Sequence, residues 1–145
     1  MWQKACYSGK KKFHTLKTQI VFDIERREII GLSFDYGHYH DFTLYKESLG
    51  SHVAQEIKLL LDSGYQGILE FHTNSNIPQK SSKHHPLDEQ EKQYNFEHSK
   101  ARIPIEHINA KIKVFKIFST KYRNRRERFE LRMKLICGIL NVQRF

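Results

Sequence analysis

The chain has 145 residues, 39% of them hydrophobic, and its 25 lysines and arginines outnumber its 16 aspartates and glutamates. This length and apolar content are typical of one folded domain with its own core. No run of 18 apolar residues occurs, and the amino terminus has no apolar stretch suited to a signal peptide, which argues against a membrane-spanning or secreted protein. Cys6 and Cys137 have neither disulfide-framework nor metal-ligand spacing, so we expect reduced thiols in a cytosolic protein.

The excess positive charge is concentrated in two clusters. One is Lys10-Lys11-Lys12, and the denser one comprises Lys121, Arg123, Arg125, Arg126, Arg128, Arg132 and Lys134. Such clusters indicate a polyanionic partner, because cations that contact phosphates release counterions. We therefore expect nucleic acid as the partner; an anionic membrane surface and a merely solubilising surface are the weaker alternatives.

The amino-terminal part of the chain predicts a β-hairpin followed by a short helix. The β-rich segments Thr18–Ile24 and Ile29–Phe34 are separated by four charged residues, which is the pattern of two antiparallel strands joined by a turn. Asp41 is a plausible N-cap for a helix over Phe42–Leu49, and Gly50 would end that helix.

Asp62 is the first candidate site residue, because it ends an apolar run. Ile57 and Leu59–Leu61 predict a strand that is buried on both faces, and the residues after Asp62 provide loop chemistry. Ligands of open α/β sheets bind beyond the carboxyl ends of the strands, where Asp62 would lie. The alternative interpretation is that Asp62 is a solvated residue at the start of a turn.

Less regular structure is predicted in the middle of the chain. Past Gly67, Ile68–Phe71 predicts a short strand, and residues 72–87 predict an exposed, basic, proline-containing loop. Asp88 is predicted to cap a polar helix that continues to about Glu97.

Two amphipathic helices are predicted in the remainder of the chain. After Pro104, which is tolerated in a first helical turn, apolar residues recur every three or four positions: Ile105, Ile108, Ile112 and Phe115. The last helix is expected over about Arg126–Asn141, with an inner stripe of Phe129, Met133, Ile136 and Leu140.

Glu106 is the second candidate site residue, and it lies on the edge of the first of these stripes. Arg102 comes one turn before it, and Lys113 comes two turns after it. A carboxylate flanked by two cations is either part of a site for an anionic substrate or a surface ion-pair row, which stabilises a protein only slightly.

Four stretches of the chain, in this order, resemble the DDE transposases of bacterial insertion sequences. They are Tyr7–Lys17, Gly37–Asp41, Asp62–Gly67 and a pattern made of Asn95, Ser99, Arg102, Ile103, Pro104, Ile105, Glu106, His107 and Lys113. The resemblance extends over nearly the whole chain, and four motifs in one order are far more specific than any single motif. Ser99 stands where relatives often have tyrosine, which is a mild departure.

The resemblance implies an α/β fold of the RNase H-like type, a mixed β-sheet flanked by helices, in a single catalytic domain over residues 1–145. It implies that Asp62 and Glu106 are catalytic and hold Mg²⁺ (or Mn²⁺), a metal that prefers carboxylate oxygens and assists in-line attack on phosphorus. The implied DNA contacts are Lys10, Lys11, Lys12, Arg102, Lys113, Arg123, Arg125 and Arg126.

One part of the resembling family's pattern has no counterpart in this sequence. The family's first catalytic aspartate lies on a strand before the segment that matches Tyr7, and the six residues before Tyr7 include no acidic one. We therefore expect an amino-terminally truncated domain that lacks this strand and is inactive alone. A decayed gene, an internal start or a second frame joined by frameshifting would each produce such a chain.

The partner implied by the resemblance is double-stranded DNA at transposon ends, with a homodimer and the missing upstream segment as further candidates and no membrane partner. The implied location is cytoplasmic and nucleoid-associated. No zinc is expected, because the nine histidines form no two pairs at ligand spacing.

Two alternative functions stay open. One is a non-catalytic DNA-binding remnant of a decayed transposase; the other is an RNase H-like nuclease in which Asp23, Asp35 or Asp41 lies near Asp62.

Overall fold

The structure is a computed structural model that describes residues 7–8, 13–37, 39–119 and 128–143. In that part of the chain the strands are Tyr7–Ser8 (β1), Phe13–His14 (β2), Leu16–Asp23 (β3), Glu28–Tyr36 (β4), Leu59–Leu60 (β5) and Ser75–Asn76 (β6). The helices are Asp41–Ser48 (α1), Ile68–Phe71 (α2), Glu89–Ala101 (α3), Ile103–Val114 (α4), Lys116–Ser119 (α5) and Phe129–Val142 (α6). Strands and helices are mixed along the chain, which confirms the α/β class.

The chain divides into two compact units. Unit 1 consists of residues 1–39 and 104–145, and unit 2 consists of residues 40–103. Among the helices that the structure describes in either unit, none has both the length and the apolar character needed to cross a membrane.

The predicted hairpin of unit 1 is confirmed, since β3 and β4 pair in antiparallel fashion. β4 extends beyond the predicted strand at both ends. Asp23 stabilises the turn, because its Oδ1 atom accepts hydrogen bonds from the backbone N–H groups of Glu25 (3.0 Å) and Arg26 (2.9 Å). This local bonding is the physical reason why aspartate is common at turns.

The core of unit 1 lies between the hairpin and two helices. Ile108 and Ile112 of α4 pack with Met133, Ile136 and Leu140 of α6, as their spacing predicted. The stripe of α4 is shorter than predicted, because Phe115 lies beyond the end of the helix and is 38% exposed.

Cys137 is a further member of this core that the predicted stripe did not include. Burial raises the pKa of its thiol to about 11. The side chain is therefore a protonated, apolar filler at neutral pH, which is how buried cysteines usually behave.

The core of unit 2 is small and partly polar. It contains Leu44 and Tyr45 of α1, Ile68 of α2, and His72. The Tyr45 ring makes edge-to-face contacts with Tyr65 and Phe71, with ring centroids 6.3 Å and 6.2 Å away. Burial raises the pKa of the Tyr45 hydroxyl.

Of the two strand predictions in unit 2, one was too long and the other was wrong. The strand expected over residues 57–61 is only β5, and Ile57 is 52% exposed. Ile68–Phe71 forms the helix α2 in place of a strand, after Gly67 turns the chain with a φ of +89°. Short apolar runs cannot distinguish a strand from a buried helical turn, and here the left-handed glycine decides the outcome.

Helix starts were predicted with mixed success. α3 begins with a complete capping box: Asp88 accepts a hydrogen bond from the Glu91 backbone N–H (2.7 Å), and the Glu91 carboxylate accepts one from the Asp88 N–H (3.0 Å). The predicted cap at Asp41 was wrong, because His40 is the N-cap of α1 and Asp41 is its first helical residue.

The segment 72–87 differs from the exposed loop that was expected. Residues 79–86 are exposed, but His72 is fully buried and Ser75 in β6 is 7% exposed. α6 is described from Phe129, and residues 120–127 lie outside the described part of the chain.

Candidate functional site

Asp62 lies two residues after the end of β5 in unit 2. β5 pairs in parallel with β6, and the Leu61 N–H extends the ladder by donating to the Asn76 carbonyl at 2.9 Å. Asp62 is half-buried, and its Oδ1 atom accepts a hydrogen bond from the Gly64 N–H at 2.7 Å. This bond caps the 3₁₀ turn Ser63–Tyr65 and fixes one carboxylate oxygen.

A second carboxylate lies beside Asp62. A Cβ atom added to Gly64 would be 2.8 Å from Asp41 Oδ2 and 2.9 Å from Asp62 Oδ1. The two carboxylates therefore meet on the same side of Gly64, at the start of α1 and the end of β5. Sequence reasoning had assigned Asp41 to a helix cap and had placed it near Asp62 only in the open alternative of an RNase H-like nuclease, because no local signal indicates this approach.

Side-chain hydrogen bonds hold the chain that leads into β5. The Gln55 amide donates to the Phe71 carbonyl (3.1 Å) and accepts from the Thr73 N–H (3.2 Å). Asn74 donates to the Glu56 carbonyl at 2.8 Å. These bonds place Asp62 although β5 and β6 contribute only two residues each to the ladder.

His72 is a fully buried part of the same support. Its Nε2 atom lies 3.1 Å from the Ala54 carbonyl, and its Nδ1 atom lies 3.0 Å from the Ser75 hydroxyl. Because a carbonyl only accepts, Nε2 carries the proton, and Nδ1 accepts from the hydroxyl when the ring is neutral.

One face of α3 is bonded to β6 and to the chain that follows it. The His98 Nε2 atom donates to the Asn76 carbonyl at 3.1 Å. The Asn95 side chain accepts from the Gln79 N–H (2.8 Å) and donates to the Gln79 carbonyl (3.0 Å). Sequence reasoning missed His98, and the only available signal is its position three residues after Asn95 on the same helical face.

Arg102 is half-buried at the carboxyl end of α3, and its backbone N–H donates to the His98 carbonyl at 3.2 Å. Unit 2 thus contains both Asp62 and Arg102. Glu106 and Lys113 lie on α4, where both are exposed, in the first and last turns of that helix.

The remaining predicted DNA contacts lie outside the described residues. These are Lys10, Lys11, Lys12, Arg123, Arg125 and Arg126. Within the described ranges, the structure contains no group of three or more His, Cys, Asp or Glu side chains that could hold a metal ion. Asp41 and Asp62 form a pair of oxygen donors, which suits a hard cation but is not by itself a complete site.

Comparison with known proteins gives two matches. The sequence profile of the family described as "Transposase DDE domain" matches residues 1–142. A protein of Microchaete diplosiphon, named "Probable transposase for insertion sequence element IS702", is 44% identical over 141 residues. The match covers 97% of this chain and 51% of that protein, so the chain spans about half the length of this relative. No solved structure matches the chain.

Proposed function

The chain belongs to the DDE domain family of transposases, and from this membership we propose that it takes part in cutting the DNA of an insertion sequence and joining it to new DNA. The observation that carries the proposal is the family match over residues 1–142, within which Asp62 lies two residues after a strand of a parallel pair. Carboxylates at that end of a strand are where α/β folds build their sites.

We also propose an RNase H-like fold for the domain to which this chain contributes. The antiparallel hairpin β3–β4, the later parallel pair β5–β6 and the helices of both units support it. In the described residues these strand pairs form separate two-stranded sheets, so the mixed sheet flanked by helices stays a proposal.

Asp62 and Glu106 are proposed to hold the divalent cation, Mg²⁺ or Mn²⁺. Their carboxylate oxygens fit this class of metal, and Asp62 already has one oxygen fixed by the Gly64 N–H. When bound, the metal makes the attacking oxygen more nucleophilic and stabilises the leaving oxygen. A third carboxylate is required by the family pattern, and the described residues contain no three-membered group.

The basic residues are proposed to hold the DNA. Arg102 and Lys113 would bind DNA phosphates beside Glu106, and Lys10–Lys12 with the arginines Arg123, Arg125 and Arg126 would follow the DNA backbone. Guanidinium and ammonium groups suit this task, since phosphate contacts provide most of the affinity of proteins for DNA. The homodimer and the nucleoid location stay predictions.

The metal role is tested by adding Mn²⁺ to the ¹⁵N-labelled 145-residue protein and following paramagnetic broadening of the Gly64 amide signal. We expect broadening in the original protein, its loss in Asp62→Asn and its weakening in Glu106→Gln. The side-chain amide oxygen introduced by Asp62→Asn can still accept from the Gly64 N–H, so the turn is expected to remain. Glu70→Gln, an exposed carboxylate on α2, is the control and should change nothing. Broadening that survives Asp62→Asn would overturn this role.

A polypeptide of these 145 residues is proposed to be inactive alone, because two-metal catalysis needs the third carboxylate. Incubation with supercoiled DNA and Mg²⁺ is expected to leave the DNA intact. Mg²⁺-dependent nicking that Asp62→Ala abolishes would contradict this expectation.

A further inference from the structure

The carbonyl group of Asn76 joins three elements of unit 2. It accepts the Leu61 N–H at 2.9 Å and the His98 Nε2–H at 3.1 Å. Leu61 directly precedes Asp62, and His98 belongs to α3. A single acceptor therefore connects the end of β5 with α3.

Burial of the His98 side chain, as well as its hydrogen bond, holds the ring against the Asn76 carbonyl. Its side chain is 6% exposed, and its ring lies against Tyr94, with the ring centroids 6.2 Å apart. A buried polar ring keeps its hydrogen-bond partner, because losing that partner would leave an unsatisfied buried group.

The helix that carries His98 also carries Arg102. Arg102 follows one turn later, and its backbone N–H donates to the His98 carbonyl at 3.2 Å. The bond from His98 to Asn76 thus links the backbone before Asp62 to the helix that ends in Arg102.

We propose that His98 is a positioning residue for Asp62: by holding the Asn76 carbonyl, it fixes the backbone that presents the Asp62 carboxylate. The effect on metal affinity rests on the proposed role of Asp62 as a metal ligand. Residues that orient metal ligands commonly change affinity by 10–100-fold when they are replaced.

The test compares His98→Leu with His98→Gln in the 145-residue protein. Leucine fills the space but donates no hydrogen bond, whereas the glutamine Nε2 reaches about as far as the imidazole Nε2. We expect His98→Leu to weaken Mn²⁺ binding, measured at the Gly64 amide, by about tenfold. Amide hydrogen exchange at Leu61 should become about tenfold faster relative to the protein as a whole. His98→Gln should restore most of both properties.

Asn95→Ala is the matched control, because it releases Gln79 from the same face of α3 but leaves Asn76 in place. It should not change exchange at Leu61 or Mn²⁺ binding. Equal effects of Asn95→Ala and His98→Leu would overturn the proposal, since they would indicate general loosening of the segment. If His98→Leu does not fold, His98→Asn replaces it: its shorter side chain should not reach Asn76, so faster exchange at Leu61 is again expected.

The two proposals fail in different ways. If Mn²⁺ does not broaden the Gly64 amide signal of the original protein, the metal role of Asp62 is overturned. The role of His98 is then decided by amide hydrogen exchange at Leu61. Unchanged Leu61 exchange in folded His98→Leu would overturn the positioning role even if Asp62 binds the metal.

Discussion

Gly64 lies where two carboxylates meet. Its N–H donates to Asp62, and a Cβ atom at this position would be 2.9 Å or less from oxygens of both Asp62 and Asp41. Its backbone is not in the left-handed region, so an alanine would be opposed by contact with these two carboxylate ends and not by backbone strain. The absence of a side chain at Gly64 is therefore part of how the two carboxylates approach each other.

Gly64→Ala is expected to displace the carboxylate ends of Asp41 and Asp62 and to lower the free energy of unfolding by about 1 kcal/mol, because the Asp62 oxygen that must move also accepts the Gly64 N–H. Gly138→Ala is the matched control: Gly138 lies in α6, where an added Cβ would meet nothing within 4 Å. That change should stabilise the helix by roughly 0.5–1 kcal/mol. Urea unfolding of both variants measures the difference. Equal midpoints for the two variants would show that Asp41 and Asp62 do not crowd Gly64.

At the scale of elements, two asparagines each pair with the backbone of a distant residue. Asn141 of α6 accepts from the Ile29 N–H and donates to the Ile29 carbonyl, both at 2.9 Å. Asn95 of α3 makes the same pair of bonds to Gln79. The two contacts differ in burial, since Ile29 is 8% exposed and Gln79 is exposed.

Burial predicts that the two asparagines contribute unequally. Asn141→Ala leaves the N–H and carbonyl of a buried residue without partners and should lower the free energy of unfolding by roughly 2 kcal/mol. Asn95→Ala lets water replace the lost bonds at Gln79 and should cost less than about 1 kcal/mol. Chemical denaturation followed by circular dichroism tests both. A larger loss for Asn95→Ala would refute the argument from burial.

Predictions of elements succeeded where the signal is local or periodic. The helix cap at Asp88 and the buried stripe of α6 each depend on residues within a few positions of one another. β5 and α2 were predicted less well, because each is short and its conformation depends on Gly67 and on hydrogen bonds from side chains such as Gln55 and Asn74.

At the scale of the whole molecule, the two units differ in charge. Unit 1 contains 18 of the 25 lysines and arginines and 7 of the 16 acidic residues. Unit 2 contains the other 7 basic residues and the other 9 acidic residues. The excess positive charge of the chain therefore belongs entirely to unit 1. Phosphate binding is expected to depend mainly on that unit.

This asymmetry predicts how salt weakens DNA binding. The logarithm of the binding constant should fall linearly with the logarithm of salt concentration, with a slope of about −0.9 per phosphate contact. Replacing Lys10, Lys11 and Lys12 together by glutamine should reduce the steepness of this slope by roughly 2 to 3. Fluorescence anisotropy with a short duplex of arbitrary sequence measures it.

The control for this prediction removes the same charge from unit 2. Lys58, Lys80 and Lys83 are exposed there, and their joint replacement by glutamine should leave the slope nearly unchanged. Equal reductions from both triple variants would show that net charge alone governs binding. Affinity that depends on salt but not on Mg²⁺ would favour the DNA-binding remnant as the function of this chain.

The sequence by itself determined the family, the hairpin and the apolar stripes of α4 and α6. Short motifs indicate the family, and the spacing of apolar residues indicates the hairpin and the stripes. Both signals can be recognised without knowing which distant residues are in contact. Only the tertiary structure decided that Asp41 meets Asp62 at Gly64, and that Asn141 pairs with Ile29, 112 positions away. It also decided that His98 shares an acceptor with the residue before Asp62. Such contacts depend on where the chain turns. Those turns are set by features such as a two-residue strand or a single left-handed glycine, and such features leave no periodic pattern in the sequence.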